Sequence, residues 1–93
     1  MRLLGIYPSD DSKKKYTAMF YVNDKIKNVS FGARGYEDYT MHKDKERMKR
    51  YQARHKNDNL DDPLSPGSLS WYILWSSPNM KQGIENYRRR FNL

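Results

Sequence analysis

Residues Tyr39 to Lys56, YTMHKDKERMKRYQARHK, place seven Lys and Arg, two His and two Tyr in eighteen positions. Three chemistries fit such a set. Lys and Arg neutralise phosphates and release counterions from a polyanion. Histidine works as a general base or a metal ligand. Tyrosine stacks on unpaired bases. Arg47, Arg50 and Arg54 recur at spacings of 3 and 4, so one helix face carries them. Lys43 and Lys49 add charge nearby, Arg88 and Arg89 (with Arg90) close the last predicted helix, and Lys13–Lys15 open a strand. If these groups converge they line a groove. The nucleic-acid-binding set expected here is therefore Lys43, Arg47, Lys49, Arg50, Arg54, Arg88 and Arg89, with Tyr36 or Tyr39 stacking from a glycine-containing loop. There is no zinc-finger spacing and no RNP-like aromatic string, so the pattern favours backbone contact over base reading.

Catalysis has weaker support. His42 and His55 are the only histidines and lie thirteen residues apart. On one straight helix they would be separated by about 20 Å, at ~1.5 Å per residue, too far to share a metal or a proton. Asp10–Asp11 and Asp61–Asp62 fall in loops with Pro or Ser, where acids serve turns and caps. The chain has no Cys, which removes a disulfide framework, a Cys-ligated zinc site and a thiol nucleophile together. No catalytic residue, metal site or cofactor is expected. Gly5-Ile6-Tyr7 resembles the opening of the GIY-YIG nuclease motif, but Tyr16–Val22 contains no Tyr-Ile-Gly, and Glu85 is a metal ligand only by forced alignment. A small metal-dependent nuclease is the third reading.

The charge is +7 over 93 residues, a length that suits one domain. The excess is uneven: net +5 in residues 41–56 and +3 in 79–93, separated by net −3 in 57–78. A localised basic excess favours polyanions, whether nucleic acid or an acidic protein face. No run approaches the ~18 apolar residues of a membrane span. The N-terminal MRLLGIYPSDD is too short an apolar region for a secretory signal. These features predict a soluble, intracellular protein without a membrane partner.

The elements that must position these residues can be read in order. RLLGIY (Arg2–Tyr7) reads as an edge strand, KYTAMFYV (Lys15–Val22) and IKNVSFG (Ile26–Gly32) as a hairpin around a tight turn at Asn23–Lys25. Alternation puts Tyr16, Ala18, Phe20 and Val22 on one face. Ile26, Val29 and Phe31 do not alternate cleanly, leaving register or a bulge near Asn28 open. Met41, Asp44, Met48, Tyr51 and His55, spaced 3, 4, 3, 4, predict one helix over 41–56. An acidic, Pro-containing linker covers 57–65, and helices fill 66–92. In the latter, Ser65-Pro66 and Ser77-Pro78 read as caps with Pro at the first position. Met80, Ile84, Tyr87 and Phe91 form an apolar stripe interrupted by Gly83, which suggests close packing there. SWYILW (Ser70–Trp75) reads as core or, if partly exposed, as a partner anchor. The predicted class is α+β: a small antiparallel sheet, a hairpin plus a third strand, followed by about three helices within the single domain 1–93.

The pattern Phe31-Gly32, Tyr36-x-Asp38-Tyr39-Thr40-x-His42-Lys43-Asp44, Arg50-Tyr51 and Arg54-His55, then a Pro/Gly linker and Trp75 before Pro78, covers roughly residues 28–93. It resembles a family of small uncharacterised basic proteins of large DNA viruses of algae and protists. The resemblance implies a viral setting, in the host cell during infection or in the virion, and no catalytic assignment. It raises His42, Lys43 and Asp44 above other surface polar residues, as a site or as a helix-entry network. The leading expectation is a viral protein that binds DNA or RNA by phosphate contact. The second is a structural or partner-binding viral protein whose basic helix meets an acidic viral or host surface. An exposed hairpin edge also allows two copies to pair as a homodimer.

Overall fold

The computed structural model describes residues 1–93. Three strands, β1 (Arg2–Pro8), β2 (Lys14–Val22) and β3 (Lys25–Ala33), form an antiparallel meander in the order β1-β2-β3. The expected α+β class, a small antiparallel sheet followed by helices, is what the chain forms. The β2–β3 turn is tight because Asn23 and Asp24 both take positive φ, 51° and 66°. Two left-handed central residues are the type I′ signature that matches strand twist, and Asn and Asp tolerate it. The β2–β3 ladder runs through Met19↔Asn28 without a slip. The irregularity lies instead in β1, between Leu3 and Gly5. The Tyr7 ring lies over Gly5, where a Cβ would meet the phenol oxygen at 2.6 Å.

One sheet face is core. Leu3, Ala18, Phe20, Val29 and Phe31 pack with Leu69, Ile73, Leu74 and Tyr87 from the C-terminal helices. The alternation expected for Ala18 and Phe20 holds, and both are fully buried. The other face stays open, with Thr17 and Ser30 hydroxyls bonded at 2.9 Å and Tyr21 and Ile26 exposed.

The helix expected over 41–56 is two helices. Helix α1 (Tyr39–His42) stops at Lys43, whose φ is +56°, and α2 (Lys45–His55) restarts after it. The restart has a local cause: the Asp44 carboxylate accepts from the backbone N–H of Glu46 and Arg47. Asp44 is thus an N-cap and not a member of the Met48–Tyr51–His55 face. His42, Lys43 and Asp44 form a helix-junction network. His42 Nδ1 accepts from the Asp44 backbone N–H at 2.9 Å, and Lys43 Nζ donates to the Pro78 carbonyl at 3.0 Å.

Residues 57–65 are tied down on both sides. His55 Nδ1 meets Asp58 at 2.8 Å, Tyr87 Oη donates to the Pro63 carbonyl at 2.5 Å, and Arg90 reaches Asp61 at 2.6 Å. Ser65 caps α3 (Pro66–Leu69), as its Ser-Pro pair predicted. A π-helical turn over Ser70–Leu74 continues α3 directly. This wide turn buries Ile73 and Leu74 and leaves Trp71, Tyr72 and Trp75 half-buried. Helix α4 (Met80–Phe91) begins two residues later than Ser77-Pro78 suggested, because Asn79 is the cap and Ser77 accepts from the Asn79 N–H. Gly83 is buried against the π turn; a Cβ there would overlap the Ile73 carbonyl. No helix is long and apolar enough to cross a membrane.

Candidate nucleic-acid interface

A cleft of about 470 Å³ opens between the end of the sheet, α2 and the start of α3. Its cationic lining comes from two elements distant in sequence. Lys14 and Lys15 enter from β2, and Arg47, Arg50 and Arg54 from one face of α2. The cations differ in what they already touch. Lys15 Nζ is 2.6 Å from the buried Asp38 carboxylate, which also caps α1 through the Thr40 N–H at 2.9 Å. Arg47 meets Glu37 at 3.5 Å, with both side chains well exposed. Lys14, Arg50 and Arg54 make no ion pair. Those three side chains are available to an anion.

The cleft floor is aromatic. Tyr51 on α2 stacks on Trp75 with ring centroids 4.1 Å apart and planes 2° from parallel. His55 stacks on Tyr51 at 4.2 Å and 26°. Two rings at stacking distance from one must occupy its opposite faces, so Trp75, Tyr51 and His55 form a column. His42 packs beside Trp75 at 5.3 Å and Tyr39 beside His42 at 6.2 Å. The helix break therefore brings both histidines to the same ring cluster, which a straight helix over 41–56 would not do. His42 Nε2 is buried without a hydrogen-bond partner. With Nδ1 accepting from Asp44, the ring proton sits on Nε2, among the rings. Burial, reinforced by the Asp58 carboxylate and opposed by Arg54, pushes the Tyr51 hydroxyl above its ordinary value of 10.0. Tyr51 is neutral at physiological pH.

The expected site residues divide. Tyr36, Arg47, Arg50 and Arg54 line the cleft. Tyr36 is 74% exposed and holds its ring free at the mouth. Tyr39 lies away from the mouth, buried as the first residue of α1. Lys43 is committed to the Pro78 carbonyl, and Lys49 faces Glu46 at 3.9 Å on the outer side of α2. Arg88 and Arg89 lie on α4 and do not line the cleft. The site set from sequence omitted Lys14, Lys15, Tyr51, His55 and Trp75. The Lys13–Lys15 run was the one visible signal for the β2 wall. No group of three or more His, Asp and Glu side chains converges as metal ligands would.

These features define a small α+β protein with a basic, aromatic-floored cleft. Residues 4–55 match the family of unknown function DUF5754, and this stretch is more than half of the 93-residue chain. The chain belongs to that family. The match spans β1 through α2, so Lys14, Tyr36, Arg50, Arg54 and the Tyr51–His55 pair lie within it, while Trp75 lies beyond. No curated protein and no solved structure matches the chain.

Proposed function

We propose that this protein binds nucleic acid through phosphate contacts in the α2 cleft, in the viral setting that its sequence resemblance implies. One observation carries the reading. Arg50 and Arg54 from α2 and Lys14 from β2 converge on one concave surface, and none of the three is paired. Unpaired cations held together by a fold repel one another, and a polyanion relieves that repulsion. Base-edge reading has no counterpart in the cleft, so affinity comes from charge and is sequence-tolerant.

The test is a salt titration of binding to short DNA and RNA, for the wild type and for Arg50→Glu/Arg54→Glu. Three phosphate contacts predict a log–log slope of about −2 to −3. The double variant should lose binding while keeping its unfolding midpoint, since both side chains are exposed. Binding that survives the double variant places the interface elsewhere.

A second reading, a structural or partner-binding protein, draws on the open sheet face. Tyr7, Tyr21 and Ile26 are 50%, 41% and 55% exposed there, a surface that a protein partner would cover.

A further inference from the structure

The nucleic-acid reading leaves strandedness open, and the shape of the cleft addresses it. Resting on that reading, we propose that the cleft takes a single-stranded stretch of DNA or RNA, with an unpaired base on Tyr36 and its phosphates at Lys14, Arg50 and Arg54, and that it discriminates against duplex.

Three features of the site carry this. The first is which way the cations face. A helix that reads the base edges of a duplex must protrude, since the major groove of B-DNA, about 12 Å wide, has to receive the whole helix. Here the arginine face of α2 forms one wall of a cleft, with Arg50 and Arg54 exposed along it. Tyr51, next to Arg50, is buried beneath Trp75, and Pro66 and Gly67 close the far side. A convex duplex surface matches that concavity poorly. A flexible strand can enter, and a cleft of about 470 Å³ lies within the range of about 300–1,000 Å³ typical of sites that enclose small ligands.

The second is Tyr36. Its ring is 74% exposed beside the cations, at the end of a turn where Gly35 has φ +92°. It donates and accepts no side-chain hydrogen bond, and its ring stacks on no other. A free aromatic face next to a cation track is the pairing that single-strand binders use, because every base has a π-face. A base already stacked inside a duplex cannot reach it.

The third is the arrangement of the acids. Glu37 and Asp58 also border the cleft, paired with Arg47 and His55. They confine the free positive charge to a narrow track. One row of phosphates can follow that track, whereas the second strand of a duplex would bring its phosphates toward the carboxylates.

The experiment uses the full chain and fluorescence anisotropy. The ligands are an oligothymidylate and an oligouridylate of about 12 nucleotides, within the site sizes of single-strand binders, and a duplex with the same number of phosphates. Wild type should bind the single strands at least about tenfold tighter than the duplex. Tyr36→Ala should weaken single-strand binding about 5- to 140-fold, the loss of one stacked base, and leave duplex binding and the melting temperature unchanged. Duplex binding as tight as single-strand binding, or single-strand binding indifferent to Tyr36→Ala, overturns the inference and leaves the nucleic-acid reading standing. Binding to none of the three ligands overturns both.

Discussion

Trp75 and Tyr51 lie face to face, centroids 4.1 Å apart and planes 2° from parallel, and this pair ties the end of the π turn to the middle of α2. Tyr51 is the only buried residue of α2, so the helix has one apolar anchor. Apart from the half-buried Met48 and the exposed Ala53, its other residues are charged or polar, and a short isolated helix is marginal in water. The stack therefore holds one wall of the cleft in place. Tyr51→Ala should destabilise the protein by about 3–5 kcal/mol, the range for deleting a buried aromatic ring. Tyr51→Phe keeps the stacked ring and should cost under about 1.5 kcal/mol. Urea denaturation measures both; equal losses would show that the hydroxyl, not the stack, matters.

Gly83 offers a test in which helix propensity and packing oppose each other. Ala is favoured over Gly inside a helix by about 1 kcal/mol. Yet a Cβ at Gly83 would overlap the Ile73 carbonyl, and the neighbour is backbone, which cannot rotate away. Packing should win. Gly83→Ala should lower stability by about 1–3 kcal/mol, the usual cost of overpacking. A thermal melt with a raised midpoint would mean that α4 and the π turn are further apart than described.

The Lys15–Asp38 pair joins β2 to α1 with Nζ and carboxylate 2.6 Å apart, side chains 14% and 3% exposed. Removing one partner of a buried pair strands the other charge. Asp38→Ala and Lys15→Met should each cost about 3–5 kcal/mol. The double variant should cost less than the sum, by about 0.5–3 kcal/mol of coupling. Additive losses in a denaturation cycle would show that the two charges do not act as a pair.

The parts of this molecule that depend on neighbours in sequence were legible before the structure. The β2 face follows from the alternation of Ala18 and Phe20, and α4 from the stripe Met80, Ile84, Tyr87 and Phe91. Arg47, Arg50 and Arg54 share a cleft wall because a helix places spacings of 3 and 4 side by side. The break at Lys43 was not legible. A left-handed residue is signalled by Gly or Asn, and here Lys takes φ +56°, its backbone N–H bonded to the Tyr39 carbonyl and its Nζ to the Pro78 carbonyl. Asp44 misled for the same reason, since its spacing from Met48 fits a helix face as well as a cap. The Trp75–Tyr51–His55 column and the approach of Lys14 to Arg50 join segments far apart in the chain. No local period encodes such contacts.

Alkaline pH should unfold this protein in a way that two hydroxyls control. Burial, then the charge of Asp58 for Tyr51 and of Asp62 for Tyr87, raises both phenols above their ordinary 10.0. The sign follows from which state holds the protons. Below 10.0, folded and unfolded chains both keep them, and the groups contribute no pH dependence. Above 10.0, the unfolded chain releases protons that the folded chain retains, so unfolding gains and stability falls as pH rises. Lysines also titrate there, so the comparison must be with variants. Tyr51→Phe removes one titrating hydroxyl and keeps the ring. Tyr87→Phe removes the other, together with its hydrogen bond to the Pro63 carbonyl, which costs about 1 kcal/mol at neutral pH. Urea midpoints measured from about pH 8 to about pH 11 should fall less steeply in either variant than in wild type. Parallel profiles for wild type and Tyr51→Phe would mean that the Tyr51 hydroxyl reaches water, and with it that the cleft floor is more open than the stack of Trp75 on Tyr51 allows.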